Sequence, residues 1–531
     1  MPEKPDQTKS QAAKPEQDGK PVEDLTGRDR LVSNVLFSWG AHFVFIIAGF
    51  IMPRMIDRRL GQDLLGVWDF TWSLVSYFDL VQVGIGSSIN RYVARYQAAG
   101  DISGVNRIAS SASCILGALG LLVMGLTIAV SLLLPQLFGA RLGENMRDAQ
   151  WVVFFLGASM GIEIAFNTFS GILTGYHRWE LHNIIKSGWH AATVAGMIIA
   201  LLQGGSLPSL AVITFAGLVL AYTTRVMVAH RVCKGLRLRP SLIKGETVKK
   251  LFFFGGKTLI PSVSNMLLNQ TTSILIFAYL GPMALALYAR PQSLIRHIHT
   301  LVLKMATILT PTASSLQSAG NLVGIRELLI KSVRYSFYMA LPMVFVLVVF
   351  GDVIMQFWMG PRYANGLVPA ILAAGFLTTI VQTPALMILM GMNAHGRAGI
   401  AQFIASLFSV GLTVIVLGYL RWGLAGAAVA VTLPMTIMNV LYLPLLIHRH
   451  IGLGIKQYFL SVAVGPAIHI LPFAVCLVVA RLVLHAKPLA GLAWGGATGG
   501  AVLAVLYWRY VLPDRIKMRV LRLWRMRGST A

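Results

Sequence analysis

Long apolar runs follow one another along this chain, each broken only by a short cluster of charged residues, Gly or Pro. They begin near residues 31, 64, 108, 150, 185, 207, 251, 282, 335, 365, 399, 423, 458 and 491. Roughly 20 apolar residues in a helix cross about 30 Å of hydrocarbon, and the runs approach or reach that length. They lack the two-residue alternation of barrel strands, and open strands would leave backbone amides unsatisfied in lipid. The pattern therefore predicts an all-α polytopic membrane protein with about 14 transmembrane helices. The outer loops are expected to be short, the longest at about 135–149. Residues 1–30 mix Pro, Lys, Glu, Gln and Asp with scarcely an apolar cluster, a composition that predicts a disordered cytosolic tail. The first apolar stretch begins at Leu31 with no signal-peptide pattern before it, so it is expected to remain as the first helix.

Internal repetition adds an organisation. Leu60-Gly61, Leu65, Trp68 and Ser73-Leu74 recur as Leu280-Gly281, Leu285, Tyr288 and Ser293-Leu294, an offset of 220 residues. Gly175-x-His177 is echoed by Gly391 with Gly396-Arg397 nearby, an offset near 216. Repeated bundles are a signature of secondary transporters. The expected division is an N-terminal six-helix lobe over 31–230, a basic cytosolic linker over 231–250 and a C-terminal six-helix lobe over 251–447. Helices 13 and 14 follow within 448–512, and a basic cytosolic tail occupies 513–531.

Charge changes the picture in two ways. Charged residues make up only 12% of the chain, against about 25% in soluble domains, which excludes an ordinary cytosolic enzyme. The net charge of +25 would point to nucleic acid in a soluble domain. Here the excess sits in short loops beside apolar spans, where it reports orientation. With both termini cytoplasmic, the inner loops and C-terminal tail hold 25 Lys and Arg against 8 outside. The largest share is assigned to the loop after the sixth span, counted as Arg225, Arg231, Lys234, Arg237, Arg239, Lys244, Lys249 and Lys250.

Catalytic and cofactor chemistry finds little support. Cys114, Cys233 and Cys476 have no partners at metal-ligand spacing, so no metal site, disulfide or cofactor is expected. No G-x-x-x-x-G-K-[ST] motif is present. A membrane glycosyltransferase or polymerase would need catalytic residues in a sizeable outer loop. No enzyme and no catalytic residue is predicted.

The ionisable residues inside the spans carry the functional signal, because each costs about 2.5–3.5 kcal/mol to place at mid-membrane and must face protein or water. In the eighth span, Arg290, Ser293, His297, Thr300 and Lys304 form one stripe, roughly 21 Å long at 1.5 Å per residue. Gln292, Arg296 and His299 fall on another face, so this span must be enclosed on two sides. The seventh span carries a matching row of Thr258, Ser262, Asn265, Asn269 and Thr272. That row is either packing glue between helices or the second wall of a shared aqueous cavity. The candidate substrate-binding residues are Arg290, Arg296, His297, Lys304, Asn265 and Asn269. In the first lobe, Asp69, Asp79 and Glu163 either pair with the basic row or bind a coupling proton or Na⁺. Guanidinium forks and ammonium point charges suit phosphate and pyrophosphate, so the expected cargo is anionic.

Several motifs carry a resemblance to a known family: Arg59-Leu60-Gly61 with Trp68, the run Gly84-Ile85-Gly86-Ser87-Ser88-Ile89-Asn90-Arg91-Tyr92-Val93-Ala94, Gly100-Asp101, Leu280-Gly281 and Tyr288-Ala289. Over about residues 31–515 the chain resembles the polysaccharide transporter branch of the multidrug/oligosaccharidyl-lipid/polysaccharide (MOP) superfamily, the bacterial flippases of O-antigen, capsule and exopolysaccharide synthesis. The resemblance implies two six-helix lobes in a V plus two C-terminal helices, in the bacterial inner membrane. It implies alternating access that moves an undecaprenyl-pyrophosphate-linked oligosaccharide to the outer leaflet. Membrane lipids, and possible polymerase and chain-length-regulator proteins, are the implied partners, with no nucleic acid. In such flippases cationic lumen residues receive the pyrophosphate, a role that Arg290, Arg296 and Lys304 fit. The long N-terminal tail and the Arg directly after Tyr288-Ala289 depart from the usual pattern. A multidrug/cation antiporter or a lipid II flippase of the same superfamily is the alternative reading, although a cationic cargo would prefer carboxylates.

Overall fold

The computed structural model describes residues 31–255, 259–514 and 517–518. The expected disordered tail at 1–30, Thr258 and most of the basic tail at 513–531 lie outside the described residues. Among the described residues every regular element is helical. In chain order the α-helices are α1 Leu31–Leu60, α2 Gln62–Val75, α3 Ile85–Ala98, α4 Ile102–Leu142, α5 Met146–Gly175, α6 Trp179–Leu202 and α7 Leu207–Val232. They continue as α8 Gly245–Gly255, α9 Leu259–Met266, α10 Thr272–Leu280, α11 Pro282–Ala306, α12 Leu309–Ser318, α13 Leu322–Met359 and α14 Leu367–Gly391. The last six are α15 His395–Ile415, α16 Gly423–Ile437, α17 Leu443–Ile451, α18 Ile455–Phe459, α19 Gly465–Val483 and α20 Pro488–Leu506.

Ten stretches among the described residues are long and apolar enough to cross a membrane, against the 14 expected. The difference has a structural reason. One of the ten, Ile102–Gly175, holds both α4 and α5. The segments at 62–98 and 259–280 are interrupted, and α11 carries three cations and two histidines that lower its hydropathy. The long outer loop expected at 135–149 is a second correction. Pro135 is taken inside α4, and only the turn Gly143–Asn145 separates it from α5. Proline is tolerated in spanning helices because neighbours satisfy the freed carbonyl. A third correction concerns Arg225, which is not in the basic loop: it lies inside α7 with 5% of its surface exposed.

Lipid gives helices no hydrophobic reason to associate, so close packing of small residues must do it. An added Cβ on Gly120 of α4 would lie 2.6 Å from the Gly161 carbonyl oxygen of α5. On α20, Gly491, Gly495 and Gly499 recur every fourth residue against α19, where a Cβ on Gly495 would meet that of Ala480 at 2.7 Å.

The repeat read from the sequence recurs in backbone geometry. Gly61 and Gly281 precede α2 and α11 with φ of 96° and 90°. Gly100 and Gly320 share φ of 67° and 66°. The residues that follow them, Asp101 and Asn321, cap α4 and α13 by accepting from the amides of Gly104 and Gly324. These bonds satisfy helix-end donors, and they hold the Asp101 carboxyl below the ordinary range, chiefly through the Gly104 amide. After Gly175 and Gly391 end their helices, His177 and Asn393 take φ of 56° and 55°. The offsets, 220 and 216, are those of the sequence echoes.

Candidate functional site

Two breaks in helical structure frame the site. The helix that begins as α2 tightens into a 3₁₀ segment at Ser76–Gln82 and turns at Gly84, φ 82°, before α3. Between α9 and α10 the chain widens into a π segment at Leu267–Thr271. Irregular backbone at membrane depth is tolerated where it is buried in protein or lines a wet cavity, and π segments often mark functional sites. These breaks face a common cavity of about 450 Å³, and the Tyr77 hydroxyl bonds to that of Thr271 from one to the other. Its polar lining is Asp79, Ser262, Asn265, Asn269, Gln270 and Arg296. That volume lies within the range of small-ligand sites, about 300–1,000 Å³.

Within this wall the Asn269 side chain donates to the Asn265 carbonyl at 2.9 Å and side-chain oxygen at 2.6 Å. Gln292 donates to Asn269 at 3.4 Å. On the facing wall Gln82 donates to Asp79 at 3.2 Å and accepts from Asn167 of α5 at 2.9 Å. Arg296 is exposed to the cavity although protein surrounds it, which is the situation of a side chain lining an internal cleft.

The remaining sequence candidates point elsewhere. Arg290, 5% exposed, forms an ion pair with Asp69 of α2, and its Nε has no partner. His297 stacks on Phe50 of α1 with ring centroids 5.9 Å apart, and Lys304 sits 5.0 Å over the Trp39 ring. His299 reaches Thr383 of α14 at 3.2 Å. Helix α11 is thus enclosed on several sides, and Arg296 rather than the Arg290 stripe opens on the cavity. Glu163 is not among the cavity-lining residues. It lies in a separate polar group with Tyr222, Lys186 and Arg225, within electrostatic reach of Asp79. Arg225 stacks 4.4 Å over the Tyr222 ring and donates to Ser170 at 3.4 Å. The sequence reading missed this group because it placed Arg225 in the loop; the Tyr222-x-x-Arg225 spacing, three apart on a helix face, was the available signal.

Near the Leu60-Gly61 turn the two halves of the chain are sewn together. Trp358 donates to the Phe50 carbonyl at 2.7 Å, Arg54 to that of Phe357 at 2.8 Å, and Tyr363 to Asp57 at 2.8 Å. Arg141 donates to the carbonyls of Ala278 and Tyr279, each at 2.8 Å. Phe70 stacks on Phe277 at 3.8 Å. Gly66 lies so close to α11 that an added Cβ would sit 2.0 Å from the Pro282 oxygen. Backbone cannot yield that much locally, so Gly66→Ala is expected to push α2 and α11 apart. The check is a cysteine placed at Tyr279, which an impermeant maleimide should label several times faster in the Gly66→Ala background.

Residues 112–367 match a family described as polysaccharide biosynthesis protein. A Shigella flexneri protein named "Putative O-antigen transporter" is 22% identical over 406 residues, covering 73% of this chain and 92% of its own length. Among solved structures, the lipid II flippase MurJ in an inward closed conformation superposes with a TM-score of 0.68 at 13% identity, over 90% of this chain and 100% of that one. An inward-facing multidrug resistance transporter of the MATE family superposes with a TM-score of 0.66 at 16% identity, over 78% and 94%. Identities this low establish the fold alone.

Proposed function

We propose, from the premise that this chain is a polysaccharide-biosynthesis membrane transporter with the fold of the MOP superfamily, that it flips an undecaprenyl-pyrophosphate-linked oligosaccharide from the cytoplasmic to the outer leaflet. In this reading the chain crosses the bacterial inner membrane 14 times with both termini cytoplasmic. Residues 31–230 and 251–447 are two lobes that rock about the cavity, with α19 and α20 appended. The observation that carries the cargo class is the accessible Arg296 guanidinium beside Asn265 and Asn269 on the wall of the cavity. A planar fork flanked by amides can hold diphosphate oxygens through charge-assisted hydrogen bonds, while the sugars occupy water and the prenyl chain stays in lipid. The contacts near Leu60-Gly61 support a state sealed at that end; transport requires them to part.

The chain's own groups then divide the work. Arg296 captures charge, the Asn265–Asn269 pair orients it, and the Asp69–Arg290 pair fixes α2 against α11. Asp79, on the facing wall of the cavity, is the carboxylate placed to bind a coupling proton or Na⁺, since its loss or gain of charge changes what Arg296 faces. Asp79→Asn is accordingly expected to remove dependence of transport on the ion gradient; unaltered dependence would return Asp79 to a structural role.

The test of the function is reconstitution. Proteoliposomes containing the protein and a lipid-linked oligosaccharide should let an external glycosidase reach the glycan of both leaflets, whereas protein-free liposomes should protect the inner-leaflet share. Export of a cationic dye without glycan exposure would favour the drug antiporter.

A further inference from the structure

The segment between α7 and α8 is built as a strap across the end of α4. Cys233 is fully buried, with its sulfur 3.1 Å from the Tyr176 hydroxyl, and Leu236 is buried beside it. The Asn106 side chain grips the strap with both its atoms. Its amide donates to the Gly235 carbonyl at 3.0 Å and its oxygen accepts from the Arg237 amide at 2.9 Å. One turn further along α4, Ser110 accepts from the Arg239 amide at 3.1 Å. Arg239 is extended, φ −134° and ψ 135°. Leu236 is turned inward, and the side chains left at the surface are mostly cationic. Lys234, Arg237, Arg239 and Lys244 are exposed, as is Arg231 at the end of α7, and none is in an ion pair among the described residues. Asp101, close by at the start of α4, has its carboxylate occupied by Ser103 at 2.7 Å and Gly104 at 2.8 Å. Two apolar side chains share this surface: Leu238, 38% exposed, and Ile102, 39% exposed and against Gly235.

A loop that served only to join two helices would need none of these anchors. We propose that the strap is a binding surface for acidic phospholipid headgroups, with Lys234, Arg237 and Arg239 meeting the phosphates and Leu238 and Ile102 resting at the acyl boundary. Three features favour this occupant: charge of one sign, apolar side chains among the cations, and a position at the ends of membrane helices. The site is independent of the cavity and of its cargo.

The experiment uses the full chain in detergent, titrated with phosphatidylglycerol or phosphatidylcholine and read by native mass spectrometry and by melting temperature. Each cation near an anionic surface strengthens binding about fivefold. Lys234→Gln/Arg237→Gln/Arg239→Gln is therefore expected to weaken phosphatidylglycerol binding by roughly a hundredfold, to abolish the rise in melting temperature, and to leave phosphatidylcholine unaffected. A second variant, Lys331→Gln/Arg449→Gln/Lys456→Gln, removes the same charge from exposed positions elsewhere and should bind as the wild type does. Equal loss in both variants would mean that net charge alone attracts the lipid and would overturn the site. So would undiminished binding in the strap variant, or a stabilisation by inorganic phosphate as large as that by the lipid.

Discussion

Arg296→Ala is expected to lower transport of lipid-linked oligosaccharide by roughly ten- to a hundredfold, because hydrogen bonds to a charged group contribute about 1.5–3 kcal/mol and each 1.4 kcal/mol is a factor of ten. The guanidinium is exposed on the cavity wall and makes no ion pair among the described residues, so its removal leaves no buried acid stranded. Expression and thermal stability should therefore stay near wild type, which separates a cargo role from a structural one. Arg296→Lys should fall between, since an ammonium keeps the charge and loses the two-pronged geometry. Transport assays in proteoliposomes, with melting curves on the same preparations, check the pair.

Asp69→Ala should act in the opposite way, through the fold. Arg290 is 5% exposed and has Asp69 as its ion partner, with its Nε already unmatched. Deleting the acid leaves an uncompensated charge, which costs about 3–5 kcal/mol in buried pairs. The double replacement Asp69→Leu/Arg290→Met removes both charges and should recover most of that stability, as apolar substitutes for buried pairs commonly do. Thermal unfolding of the three proteins in one detergent decides it. A single variant as stable as wild type would mean that Arg290 is solvated in some other way.

The helical class and the repeat were legible because apolar length and Gly-rich helix junctions are local signals. Gly61 and Gly281, or Asp101 and Asn321, sit where one residue determines the backbone. Segments with mixed character read less well. Asp79 looked like part of a continuous span but lies on a 3₁₀ segment, a departure that no run of hydropathy encodes. The site was half visible. Asn265, Asn269, Arg296 and Asp79 meet at one cavity, yet the stripe through Arg290, His297 and Lys304 favoured a different face of α11. Helical spacing tells which residues share a face and says nothing about which neighbour that face meets; Arg290 meets Asp69, and Lys304 meets Trp39. Arg225 was lost for a related reason. A cation close to a basic helix end reads as loop when the position of the last turn is unknown.

Recognition of a lipid carrier's diphosphate by the cavity, as proposed above, rests on Arg296. Its most direct test is equilibrium binding of undecaprenyl-pyrophosphate-linked oligosaccharide and of the uncharged alcohol undecaprenol to the wild type and to Arg296→Gln. The diphosphate lipid is expected to bind the wild type at least about tenfold more tightly than it binds the variant, while undecaprenol binds both alike. Equal affinity of the two proteins for the diphosphate lipid would contradict it.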